Sequence, residues 1–204
     1  MATIPDPSEM PFFTTIPPRA LELDSAQAAD LNTIYTNGGY NLNFQVGENG
    51  FIVVDPNSAE GIRQLTNDDH LLLSLPLDSV KCFSLGVLFQ LIPDRCSLID
   101  SEVATARTAI AAYNAVIIDL AATHNFAVAD IASFYSSVNS GITFNAADFT
   151  SEFAAGGFFG LDGYGLNPKG AGLVANEFIA AINAQYGAVV PTVSIEPLRG
   201  VLFP

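Results

Sequence analysis

The chain has 204 residues, half of them hydrophobic and 14% charged, and its 7 Lys and Arg against 21 Asp and Glu leave a formal charge of −14. That length suits one domain with a sizeable core, and 16 Gly, 12 Pro and 15 Phe without Trp fit a turn-rich globular chain. The charge excludes nucleic acid, whose backbone must be neutralised by Lys and Arg, and repels an anionic membrane surface.

No apolar run approaches the ~18 consecutive residues of a spanning helix, so no transmembrane segment is expected. The opening MATIPDPSEMPFF has no basic region ahead of an apolar stretch; no signal peptide is expected, and the chain would stay where it is made. Cys82 and Cys96 have neither metal-ligand nor CxxC spacing and read as free thiols ahead of a disulfide. No metal or cofactor is expected.

In chain order, Ala2 to Ile4 reads as a short strand start. The proline-punctuated stretch from Pro5 to Pro18 reads as extended chain packed through Phe12 and Phe13. Asp24 and Gln27 have capping-box spacing and open a helix through Tyr35 that Gly38 and Gly39 end. Leu42, Phe44 and Val46 alternate with polar residues, and a turn at Gly47–Gly50 leads to Phe51–Val54, which predicts a hairpin. Leu71–Leu75 suits a buried strand.

The clearest helix runs from about 100 to 124. Val103, Ala106, Ile110, Tyr113, Ile117 and Leu120 form its apolar stripe, Asp100 is its N-cap, and Asn125 ends it in a left-handed conformation. Phe126–Asp130 follows as a strand. A last helix over about 167–186 has Asn167 as cap, Pro168 in the first turn and Gly187 past its end, with Ala171, Val174, Ala175, Phe178 and Ile182 on the buried face. The tail at 193–195 and 201–203 reads as strand or extended chain. With no repeat or linker, one continuous domain over 1–204 is expected.

Chemistry is sparse. No G-x-S-x-G elbow, P-loop lysine, G-x-G-x-x-G turn or H-E-x-x-H pair is present. His70 reads as a surface residue near a turn, His124 as a favourable partner for a helix dipole, and Asp68 and Asp69 as a solvated turn. Asp162 differs: it lies in the Gly-rich loop GGFFGLDG at 156–163, just before a well-capped helix, where glycines allow close backbone approach.

The segment GGFFGLDGYGLNPKGAGLVANEFIAAINAQYG resembles the last motif block of SGNH (GDSL-type) hydrolases, particularly the lipase-like proteins of Bacteroidetes. The resemblance extends through TIPDPSEMPFFTTIP, LLLSLPLDSVKC and AAYNAVIIDLA. It implies a flavodoxin-like α/β fold: a reduced, mostly parallel sheet with flanking helices and a long irregular insertion at about 5–98. It also implies acyl transfer by a Ser–His–Asp set, on an acyl-ester or acetylated-carbohydrate substrate, in proteins that are commonly exported.

Carried onto this chain, the catalytic Asp falls on Asp162. The His position, three residues later, holds Gly165, and the Ser-bearing block and the oxyanion Gly and Asn blocks have no counterpart. The chain therefore reads as a truncated or divergent, inactive ester hydrolase domain resembling the carboxy-terminal part of that family. The alternative is a non-catalytic binding or assembly module on the same scaffold. An open sheet edge beside Ala2 further predicts a homo-oligomer, most simply a two-fold dimer.

Overall fold

The computed structural model describes residues 1–10, 16–76, 78–80, 85–88 and 90–201. The chain forms two compact units, Phe13–Val103 and the combination of Met1–Phe12 with Ala104–Pro204.

The described residues of the first unit include short antiparallel pairs and a helix. Strand β1 (Leu21–Leu23) leads into α1 (Ser25–Asn37) and pairs with β2 (Gly47–Asn49). Strand β3 (Ile52–Val54) pairs with β4 (Ile62–Gln64), and β5 (His70–Leu71) with β6 (Ser97–Leu98). The capping box at α1 forms as expected: Asp24 accepts from the amides of Ala26 and Gln27, and the Gln27 side chain accepts from the Asp24 amide. One core cluster gathers Leu31, Tyr35, Phe44 and Ile52, and another Phe51, Val53, Leu65, Leu71 and Ile92. The Tyr35 hydroxyl donates to the Val87 carbonyl at 2.7 Å, which satisfies its polar end inside the core.

In the second unit, α2 (Asp100–His124) enters from the first unit and is followed by α3 (Ile131–Ser140). The hairpin β7 (Ile142–Phe144) with β8 (Ala147–Phe149) comes next, and then α4 (Pro168–Tyr186). Its core is aromatic. Tyr135, Phe158 and Phe159 meet edge to face, with centroids 5.0 to 5.7 Å apart, the favoured arrangement of ring quadrupoles. Leu173 and Ile195 complete it.

The flavodoxin-like, mostly parallel sheet is overturned. Every named sheet among the described residues is a two-stranded antiparallel pair. The parallel contacts are isolated bridges, such as Ala2 with Ala129. There the Thr3 amide donates to the Ala129 carbonyl and the Ala129 amide to that of Met1, so Phe126–Asp130 meets the amino-terminal segment for a single step. A helix followed by a short apolar run suggests an α/β unit, but a parallel sheet requires further strands stacked through crossovers, and the described residues have none. The described residues of the segment expected as an irregular insertion form short strands and a helix around two core clusters of their own.

Smaller corrections follow from side-chain competition. Residues 42–46 do not pair as a strand, because Asn49 accepts from the Gln45 amide and donates to the carbonyls of Gln45 and Gly47, turning Gly47–Asn49 toward β1. Beyond His70–Leu71, the expected 71–75 strand gives way to turns, although Leu75 is buried. The expected α2 stripe is only partly covered: Val103 is buried, whereas Tyr113 and Leu120 are exposed. In α4 the buried positions are Gly170, Gly172, Leu173 and Asn176, not Ala171, Phe178 and Ile182. The tail at 193–195 forms no strand. Phe12, Phe13 and Cys82 lie outside the described residues, and Cys96 is a buried free thiol.

Candidate functional site

Asp162 sits at the tip of a turn fastened from below. The Gly160 amide donates to the Gly165 carbonyl at 2.7 Å, and Phe159 bridges Leu166 in antiparallel fashion. Asn167 anchors the base: its Nδ2 donates to the carbonyls of Gly157 and Phe159, and its Oδ1 accepts from the Gly170 amide at the first turn of α4. Buried Phe158 and Phe159 hold the loop in the core, while Leu161 and Tyr164 point outward.

At that tip the Asp162 carboxylate is fully exposed, and its Oδ1 accepts from the amides of Tyr164 at 3.0 Å and Gly165 at 2.8 Å. Those two amides hold the carboxyl below its usual range. A Cβ added at Gly165 would lie 2.7 Å from Asp162 Oδ2. The carboxylate thus folds back over the position where a general base would be attached, and neither of its two hydrogen bonds reaches an imidazole. His124 ends α2 and stacks on Phe126 with centroids 5.7 Å apart. Serine hydroxyls in the same unit are also committed: Ser133 to Asp130 Oδ2, Ser137 to the Ser133 carbonyl and Ser140 to the Ser136 carbonyl. This is turn chemistry. An Asp that accepts from the amides two and three residues on is an Asx turn.

Two ionic clusters stand out elsewhere. In the first unit Asp69 is 1% exposed, which corrects its reading as a solvated turn residue. It accepts from Arg63 through both oxygens, from the Thr66 amide and hydroxyl, and from the Asp100 amide. Burial pushes its carboxyl up, but the Arg63 bonds and the surrounding amides outweigh that and hold it at about 2. Arg63 also reaches Asp55, and both carboxylates raise its own affinity for the proton. In the second unit Arg107 Nε donates to Asp6 at 2.6 Å and Nη2 to Ser8 at 2.7 Å. The sequence signal for both clusters is an isolated cation: Arg63 is the one Lys or Arg between Arg19 and Lys81, and Arg107 the one between Arg95 and Lys169.

Among the described residues no group of three or more His, Cys, Asp or Glu could hold a metal ion. A concavity of about 470 Å³ in the first unit is an apolar groove lined by residues such as Leu21, Leu23, Phe51 and Val87, with Glu22 and Gln27 among its polar groups. Among the described residues, no histidine, serine or cysteine lines it. Comparison with protein-family models, curated proteins and solved structures gives no match for this chain.

Proposed function

We propose that this chain is a non-catalytic binding or assembly module, resembling the carboxy-terminal part of an SGNH-type ester hydrolase and inactive toward esters as it stands. The observation that carries the reading is the state of Asp162. Its carboxylate is occupied by the Tyr164 and Gly165 amides, and the general-base position holds a glycine. Removing triad members leaves only the residual effects of binding and oxyanion stabilisation, a loss of ~10⁴ to 10⁶ in rate.

Hydrolysis of p-nitrophenyl acetate, and release of acetate from an acetylated xylan, test it. The purified chain is expected to match an inert protein at equal concentration. Turnover that is blocked by a serine-directed organophosphate and lost in Asp162→Ala would overturn the reading.

A further inference from the structure

Helix α2 is the least accounted-for element of the fold. By length and composition alone it could cross a membrane, yet few of its residues are buried. Its covered side is well defined. Val103 and Ala121 are buried, Asn114 exchanges two hydrogen bonds with the Ile4 main chain, and Arg107 binds Asp6 and Ser8.

A second stripe, half-buried at Ala106 and Ala109 and open from Tyr113 onward, runs along one flank. Ala106, Ala109, Tyr113, Val116, Leu120 and Thr123 recur at alternating intervals of three and four, the spacing of a helix–helix seam. Tyr113, Val116 and Leu120 are 59%, 57% and 41% exposed. Single exposed apolar side chains are ordinary, but a contiguous stripe marks an interaction surface.

We infer that this stripe is the contact between two copies of the chain, packed as an antiparallel α2 pair; the inference deepens the assembly reading and rests on it. Charge selects the occupant. Every copy carries −14, so two copies repel over most of their surfaces. Between Arg107 and His124 the only Asp, Glu, Lys or Arg is Asp119, and it lies off the stripe. This flank is where a second copy can approach without setting like charges together.

Volumes agree with a two-fold arrangement. An axis between Asn114 and Ala115 sets Ala109 against the partner's Leu120 and Tyr113 against the partner's Val116, so each layer matches a small residue with a larger one. The same axis sets Asp119, at the edge of the seam, beside the partner's Ala112 and away from any carboxylate. A lipid bilayer fits less well, because immersion would strip Asn114 and Arg107 from Ile4, Asp6 and Ser8.

The extent of the contact sets its strength. The stripe covers about 27 Å of helix, short of the ~800 Å² per partner of a standard stable interface. The dimer is therefore expected to be reversible, with dissociation in the micromolar range.

Sedimentation velocity across low to high micromolar protein tests this. The wild type is expected to move from 21.5 kDa toward twice that mass with rising concentration. The double variant Val116→Glu, Leu120→Glu should remain monomeric, with an unchanged circular dichroism spectrum because both side chains are exposed. Ile118→Glu, on the opposite flank and 54% exposed, should dimerise like wild type. A wild type monomeric at every concentration would overturn the seam, as would a dimer indifferent to the double variant. So would co-sedimentation of the chain with phosphatidylcholine vesicles. None of these outcomes bears on ester hydrolysis, so the seam and the non-catalytic reading fail separately.

Discussion

Arg63 grips Asp69 at two points, Nη1 to Oδ2 at 2.8 Å and Nη2 to Oδ1 at 2.7 Å, while its Nε holds Asp55 at 2.8 Å. The planar guanidinium suits this fork, and a lysine cannot reproduce it. Arg63→Met leaves two carboxylates in the interior without a counter-charge. Breaking a buried pair from one side costs about 3 to 5 kcal/mol. Chemical denaturation should show a loss of that order for Arg63→Met and an intermediate loss for Arg63→Lys. A loss near zero would mean that the cluster is solvated.

The same pair sets an acid limit. Asp69 is held at about 2 in the folded chain, against an unfolded value of about 3.9. A depressed carboxyl contributes stability that is complete above the unfolded value and is lost as pH falls through the folded one. The contribution amounts to about 2 kcal/mol and should disappear between about pH 4 and pH 2. Asp69→Asn should be less stable at neutral pH and show a flatter decline across that window. Parallel pH profiles for the two proteins would contradict the assignment.

What was legible in the sequence follows a physical division. The local devices were: Asp24 with Gln27 at α1, Asn125 in a left-handed conformation after α2, and Asn167, Pro168 and Gly187 bounding α4. Each depends on groups within a few residues, so neighbours in sequence determine it. Pairing partners were not legible. Gly47–Asn49 binds Leu21–Leu23, from the far side of α1, because the Asn49 side chain closes the loop that precedes it. The β7–β8 turn uses Asn145 and Ala146, both at positive φ, without the glycine that usually marks such a turn. Asp162 was legible as a loop residue aimed by glycines, but its partners are main-chain amides, and a catalytic Asp and a turn-forming Asp look alike in sequence. Asp69 was misread because its burial depends on a fork from Arg63, six residues back in β4, and on the Asp100 amide, 31 residues on, contacts that the sequence does not display.

Gly170 is the tightest backbone approach in the second unit. A Cβ there would collide with the Phe158 carbonyl, which is main chain and cannot swing aside. Gly170→Ala must therefore push α4 off the aromatic core, and overpacking of this kind costs about 1 to 3 kcal/mol. Thermal unfolding should fall clearly below wild type. Retention of the wild-type midpoint would mean that the helix start shifts freely.

Asp130 joins three segments. It caps α3 through the Ser133 amide at 3.2 Å and accepts from the hydroxyls of Ser133 and Thr3. Those bonds, the Ser133 hydroxyl foremost, hold its carboxyl below the usual range. Losing an N-cap costs about 1 kcal/mol. Asp130→Ala should lose at least that, and Asp130→Asn less, since an amide oxygen still accepts. Hydrogen exchange should speed up first at the amides of Ala132 and Ser133. Unchanged exchange there would show that the cap is dispensable.

Gly165→His asks whether the turn can host an Asp–His pair. The new side chain would start 2.7 Å from Asp162 Oδ2, so the carboxylate must rotate away from the Tyr164 and Gly165 amides before it can face the ring. That movement is easy, because Asp162 is fully exposed and its far end is free to turn. A carboxylate beside an imidazole favours the protonated ring, so the introduced histidine should titrate above the ordinary value of about 6.5. Its ring-proton shifts, followed by NMR against pH, report this directly, and Gly165→His with Asp162→Asn should bring the value back. Ester hydrolysis is expected to stay at the level of wild type, since the Ser133, Ser137 and Ser140 hydroxyls of the same unit remain committed to Asp130 and the α3 carbonyls. A histidine that titrates at or below the ordinary value would show that the turn cannot release Asp162. Turnover from the single substitution would instead reveal a nucleophile within reach and end the non-catalytic reading.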